Sequence, residues 1–210
     1  MSRINVLDSS VFNRIAAGEV VDKPASVVKE LVENAIDSGA TAIDVTVENG
    51  GRYIKVTDNG CGMDYDDLTV ALMPHATSKI KDLGDLDAIL TLGFRGEALP
   101  SIASVARVTI TSRRREDETG GRIITENGNV IEKTQTGAPA GTTVLVEDLF
   151  ANVPARLKFL RSARSEEGEI SSLMQRVMIA NYNIAISLTI SGKEIFRTEG
   201  KGLEEAVYSV

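Results

Sequence analysis

Apolar residues recur at three- and four-residue spacing between positions 24 and 38, where Val27, Val28, Leu31, Val32, Ala35 and Ile36 would line one side of a helix. Pro24 stands where a first helical turn tolerates it and Gly39 where a helix ends, so the spacing predicts a helix over 24–38. The period then shortens to two. Ile43, Val45 and Val47, followed by Ile54 and Val56, predict two strands joined at Asn49-Gly50-Gly51, a hairpin signal. Asp58-Asn59-Gly60-Cys61-Gly62-Met63 closes the second strand, and Asp64 is suited to start a short helix over 64–72. From Pro74 to Gly96 the periodicity fades, and in a compact domain a segment of that length is usually a lid or binding loop.

Further along, the pattern predicts a helix over 97–104 and strands over 107–113, 121–126, 130–135 and 142–148, with Asn127-Gly128-Asn129 as a second turn. A helix over 165–181 and a hairpin, 184–190 and 193–198, turning at Ser191-Gly192-Lys193, follow; another amphipathic helix begins after Gly202. Hairpins in place of alternating β-α-β units imply an α+β fold: a mixed, mostly antiparallel sheet with helices on one face. We expect one domain over 1–200, with 201–210 opening a second subdomain that is cut short.

The 210 residues carry a formal net charge of −7, and 42% hydrophobic and 25% charged residues are ordinary for a globular chain with a real core, which excludes disorder. No apolar run approaches the roughly 20 residues needed to span a bilayer, and the N-terminus lacks a signal-peptide core, so a cytoplasmic protein (nuclear in a eukaryote) is expected. Cys61 and His75 are the only cysteine and histidine, which excludes an internal disulfide and a Cys/His zinc site. No GxSxG or GxxxxGK[ST] run is present. The acidic balance weighs against nucleic-acid binding by the surface as a whole.

Several short patterns remain that can carry chemistry. Glu30 and Asn34, one helical turn apart, lie together at the border of the apolar stripe; the carboxylate can take a proton from water and the amide oxygen can ligate a hard cation such as Mg²⁺. Taken alone, such a pair is an ordinary helix-surface feature. Asp58 precedes Gly60 and Gly62, where the backbone can approach a flat ligand, and a carboxylate there would accept from an exocyclic amine and repel a carbonyl. A plain turn after a strand reads the same way. Gly93-Phe94-Arg95-Gly96-Glu97-Ala98-Leu99 runs into a helix and would offer N–H groups to phosphates, or simply be a helix-capping loop. Gly141-Thr142-Thr143 opens a strand, and Thr77, Ser78 and Lys79 fall in the presumed lid.

In order and spacing, ExxxN, DxGxG, the glycine-rich lid and GTT resemble the GHKL ATPases, the superfamily of the DNA gyrase ATPase subunit, heat-shock chaperone ATPases and histidine kinases, whose fold is a two-layer sandwich. Ile15 to Val21, Ala76 to Ile80, Gly93 to Leu99 and Val153 to Leu160 further resemble the MutL family of DNA mismatch repair proteins. The resemblance implies ATP and Mg²⁺ as cofactors, with Glu30 as general base, Asn34 as Mg²⁺ ligand and Asp58 reading the adenine amine beside Gly60 and Gly62. It implies that Thr77, Ser78, Lys79, Arg95, Gly96, Glu97, Ala98 and Leu99 line the phosphates and that Thr143 supports the base. ATP would order the lid and pair two such domains. Partners would be a second copy, mismatch-recognition and downstream repair proteins, and DNA; no membrane is implied. Arg156, Lys158, Arg161 and Arg164 form a basic run able to contact DNA phosphates, or else a solvated face, whereas Arg113-Arg114-Arg115 is offset at once by Glu116, Asp117 and Glu118. A docking module that ignores nucleotide is the competing reading.

Overall fold

The computed structural model of the chain describes residues 20–77 and 96–210. Helix α1 spans Pro24–Asp37 and buries Val27, Val28, Leu31, Val32 and Ala35, the stripe its spacing predicts. It stops because Gly39 takes a positive φ of 73°, which lets the N–H groups of Gly39 and Ala40 turn back onto the carbonyls of Ile36 and Ala35. Strands β1 (Ala42–Glu48) and β2 (Tyr53–Asp58) follow, joined by a tight turn with Asn49, Gly50 and Gly51 all at positive φ. After a short helix, α2 (Asp67–Val70), the described chain resumes at Gly96 and enters α3 (Ala98–Val105). Strands β3 (Arg107–Arg113), β4 (Gly120–Glu126), β5 (Asn129–Thr136) and β6 (Gly141–Glu147) come next, then α4 (Pro154–Phe159), α5 (Ala163–Ala180), β7 (Ala185–Ile190), β8 (Lys193–Glu199) and α6 (Leu203–Ser209).

The strands form one eight-stranded sheet in the order β5-β4-β3-β6-β2-β1-β7-β8. Every neighbouring pair is antiparallel except β1 and β7, which the chain reaches through the helical crossover α4–α5. The register aligns Ile110, Val144, Val56, Val45 and Leu188 in one row, and Val108, Val146, Ile54, Val47 and Ile190 in the next. All ten are buried, on the face that carries the helices, where Ile102, Ile170, Met174 and Met178 meet them. Each such side chain contributes about 1.5–3 kcal/mol through burial. The opposite face bears Thr46, Lys55, Thr57, Thr109 and Thr143. This is the mixed, mostly antiparallel α+β arrangement with helices on one side that the hairpins predict.

Two elements differ from the expectation. The helix foreseen over 64–72 contracts to Asp67–Val70, whose cap position is Asp66; Asp64, before it, accepts the Asp67 N–H on its Oδ1 at 2.7 Å. Only Leu68 is buried in it, seated on Gly121, where a Cβ would come within 2.5 Å of Leu68 Cδ1. Helix α4 was not foreseen because it buries no residue, so no apolar stripe betrays it. The two later hairpins turn where expected: Asn127-Gly128 and Ser191-Gly192 each place both central residues at positive φ, the geometry that matches strand twist. In α6, Ala206 is fully buried.

Ile54, fully buried in central β2, and Ile131, 51% exposed on edge strand β5, test this layering. Ile54→Ala is expected to cost about 2–5 kcal/mol. Ile131→Ala should cost under about 0.5 kcal/mol, both read by urea unfolding.

Candidate active site

Strand β2 alternates Ile54 and Val56 into the core, so its last residue, Asp58, carries a carboxylate to the helix side of the sheet. There it is paired across the ladder with Thr142 of β6 on one side and Ile43 of β1 on the other. Its Oδ1 accepts the Gly60 N–H at 2.8 Å. The Thr142 N–H and the Ser38 side chain also lie close to the carboxylate, although the Ser38 hydroxyl donates its proton to the Ala35 carbonyl at 2.7 Å. Burial pushes the Asp58 carboxyl above the ordinary carboxylate range, and the polar groups around it only partly offset that.

Ser38 joins this strand end to α1. It follows Asn34 by one turn, as Asn34 follows Glu30, so all three lie along one side of the helix. The Ser38 N–H is held by the Asn34 carbonyl at 3.0 Å, and the Ser38 carbonyl accepts the Cys61 N–H at 3.0 Å. The line Glu30, Asn34, Ser38 therefore ends on Asp58 and its loop. Glu30 is partly buried, its side chain 26% exposed, with Oε1 3.5 Å from the Lys29 ammonium, which bonds Glu33 more closely at 2.8 Å.

The glycines near Asp58 are required by the chain's own packing. A Cβ on Gly60 would fall 1.8 Å from Ser38 Oγ, one on Gly62 would fall 2.1 Å from the Arg113 carbonyl, and one on Gly141, at φ +113°, would fall 2.1 Å from the Asp58 carbonyl. Arg115 donates to the Asn59 carbonyl at 3.4 Å, and Arg113 donates to the carbonyls of Ala138, Arg114 and Asp117. Arg114 pairs with Asp64 and Asp67 at 3.0 and 2.5 Å. The arginine trio thus braces the loop after β2, and the charge of Arg114 is answered by Asp64 and Asp67 as well as by nearby Asp117.

Thr143 does not share this face. Its hydroxyl lies 3.2 Å from that of Thr57 on the far side of the sheet. Thr142 stands beside Asp58 instead, and the alternation with Val144 and Val146 already marks it as the inward residue. Sequence reasoning missed Thr142, and it missed Ser38, whose four-residue step from Asn34 was the available signal.

Of the expected phosphate contacts, Ser78, Lys79 and Arg95 lie outside the described residues, as does most of the presumed lid. The residues at its two ends meet. Gly96, at φ +63°, packs on Ala76, whose carbonyl a Cβ would approach within 2.4 Å, which puts Thr77 beside the turn into α3. Glu97 occupies the cap position of α3 but points to His75, Oε1 to Nδ1 at 3.4 Å, and makes no capping bond. Ala98 and Leu99 open the helix. Among the described residues no three His, Cys, Asp or Glu side chains cluster to hold a metal. The Asn34 side-chain oxygen is of the kind that could ligate a hard cation such as Mg²⁺.

The basic run after β6 is divided. Arg156 donates to the Val21 carbonyl at 3.2 Å and covers the Phe150 ring, and Arg161 is paired with Glu166 and Glu169. Lys158 and Arg164 are exposed. A separate cleft of about 390 Å³, lined by Asn49, Arg52, Tyr53, Glu147 and Asp148, lies at the opposite end of β2 from Asp58, about 17 Å along the strand. Among the described residues no helix is long and apolar enough to cross a membrane.

An acid and an amide on the helix, an aspartate ending a central strand and a turn into a second helix are the parts of a known class of site. Residues 22–149 match the family model of histidine kinase-, DNA gyrase B-, and HSP90-like ATPases, and the chain belongs to that family. DNA mismatch repair protein MutL of Clostridium tetani is 51% identical over 209 residues, covering 99% of this chain and 34% of that protein. MutL of Halobacterium salinarum is 49% identical, with 99% and 32% covered. The solved Aquifex aeolicus MutL ATPase domain complexed with ADP aligns with a TM-score of 0.72 and 32% identity over 90% of this chain and 68% of that one. The crystallised N-terminal domain of a DNA repair protein aligns with a TM-score of 0.79 and 29% identity, over 94% and 59%. Within the family the chain is a MutL-type ATPase domain. It spans about a third of the length of the curated relatives it matches.

The raised Asp58 pKa has a definite sign. Below the ordinary aspartate pKa the group is neutral in both folded and unfolded chains and its favourable contribution is complete. That contribution is lost as pH rises through the folded pKa. Asp58→Asn should therefore raise the melting temperature of the ligand-free chain at pH 7 and raise it less at pH 4. An equal or reversed difference in calorimetric scans would contradict the burial of a charged carboxylate.

Proposed function

We propose that the chain binds Mg·ATP on the helix side of the sheet and hydrolyses it as the switch of a mismatch repair protein. The observation that carries this reading is the connection of Glu30 and Asn34 to Asp58 through Ser38, which gives one site three separate chemical capacities. Asp58 accepts a hydrogen bond from the adenine amine, with Gly60 and Gly62 as the close-packed loop around it. Thr142 is the base-side hydroxyl. Asn34 supplies the oxygen that links Mg²⁺ to the triphosphate, and Glu30 takes the proton of the attacking water. The phosphates lie toward Thr77, Ser78, Lys79, Arg95, Gly96 and the N-terminal turn of α3 at Glu97, Ala98 and Leu99, where a helix dipole favours negative charge.

ATP then holds the segment between Pro74 and Gly96 over the phosphates and brings two domains together. Contacts to the γ-phosphate offset the backbone entropy lost, about 1–2 kcal/mol per fixed residue, and ADP lacks them. Repair partners and DNA engage the paired state. Lys158 and Arg164 are the residues of the basic run best placed for DNA phosphates, because Arg161 is already neutralised by two glutamates.

Replacing the two helix residues separates their roles. In a full-length MutL carrying this domain, Glu30→Ala should keep Mg·ATP affinity within a few-fold and lose at least about 10²-fold in single-turnover hydrolysis. Asn34→Ala should abolish the Mg²⁺ dependence of binding, read by calorimetry with and without the metal. Parental hydrolysis in the Glu30 variant would remove it as the base.

A further inference from the structure

Ser112 is absent from every motif singled out above, yet its side chain is fully buried between the loop after β2 and the start of β6. In the sheet it forms one row with Thr142 and Asp58 across β3, β6 and β2. Its Oγ accepts the Met63 N–H at 2.8 Å, donates to the Gly141 carbonyl at 3.0 Å and lies 2.8 Å from Thr142 Oγ1.

A serine hydroxyl has one proton and two lone pairs. The Met63 N–H can only donate and the Gly141 carbonyl can only accept, so the arrangement that satisfies all three neighbours sends the Ser112 proton to Gly141. Thr142 must then donate its own proton into Ser112. With that proton committed inward, half-buried Thr142 has only acceptor capacity left, in the same row as the Asp58 carboxylate.

We propose that Ser112 is a specificity-determining positioning residue: it orients the Thr142 hydroxyl so that Thr142 and Asp58 both present acceptors to the base, favouring an exocyclic amine over a carbonyl. This rests on the adenine-reading role of Asp58 proposed above. A freely rotating Thr142 hydroxyl could instead donate to the carbonyl that guanine carries where adenine has its amine. Ser112 touches no ligand and acts through Thr142, and by holding Met63 and Gly141 it also fixes the loop and strand that flank Asp58.

The test is calorimetric binding of ATP and of GTP, each with Mg²⁺, to the parent chain and to Ser112→Ala, Thr142→Val, Thr142→Ser, Asp58→Ala and the double variant Ser112→Ala/Thr142→Val, with melting temperatures recorded in parallel. Ser112→Ala should lower the ATP-to-GTP affinity ratio about tenfold, the size of one lost neutral hydrogen bond. Thr142→Val should lower it equally, the double variant no further, and Thr142→Ser should retain it. A folded Ser112→Ala protein with the parental ratio overturns the proposal, as does a double variant whose loss is the sum of the two. Should Ser112→Ala melt below the assay temperature, Thr142→Val decides, and a parental ratio there overturns it. If the parent does not prefer ATP, or Asp58→Ala leaves the preference intact, the adenine reading itself fails; if both behave as expected and only the Ser112 effect is missing, that reading survives.

Discussion

A carboxylate held at the seam between a sheet and its helices loses water that nothing apolar replaces, and much of this domain's local design surrounds that one expensive group. Asp58 keeps its place because the Gly60 and Thr142 N–H groups converge on it beside the Ser38 side chain, yet burial still outweighs them and its pKa is raised. An acceptor left in that condition has strong reason to take another donor. On the proposed reading a nucleobase amine supplies one, so the cost of burying the carboxylate would become selectivity for the ligand.

The packing around Asp58 then follows. Gly60 makes room for Ser38, Gly62 rests on the Arg113 carbonyl, and Gly141 folds over the Asp58 carbonyl, so the turn, the helix end and the neighbouring strand are locked edge to edge. Because Ser38 continues the line of Glu30 and Asn34, the same lock sets where the helix presents its acid and its amide relative to the base end of the site. The proposed roles in binding, metal ligation and proton abstraction would thereby fall to residues held on regular elements. Gly96 packs on Ala76 beside the start of α3.

Much of this was legible in the amino-acid order. The stripe from Val27 to Ala35, the alternation in β1, β2 and β6 and the Asn127-Gly128 and Ser191-Gly192 turns depend on local periodicity and local φ preferences, which a sequence displays directly. Helix α4 was hidden because it buries nothing, and the parallel pairing of β1 with β7 joins residues far apart in the chain. At the site, the types and spacing of Glu30, Asn34 and Asp58 were readable. The choice between Thr142 and Thr143 turned on a single step of strand parity, which Val144 and Val146 recorded. The packing that also requires Gly60 and Gly62 was not readable, because what crowds them, Ser38 and the Arg113 carbonyl, comes from other elements. Arg161 looked free for DNA for the same reason, since Glu166 and Glu169 meet it only after α5 has formed.

The central claim, that one nucleotide draws these three side chains together, is tested most directly by a crystal structure of the chain with Mg²⁺ and the non-hydrolysable analogue AMPPNP. The account predicts the adenine amine about 3 Å from the Asp58 carboxylate and the metal on the Asn34 side-chain oxygen, with Glu30 facing the γ-phosphate. A nucleotide seated elsewhere, for instance against Arg52 and Tyr53 at the far end of β2, with Asp58 untouched, would contradict it.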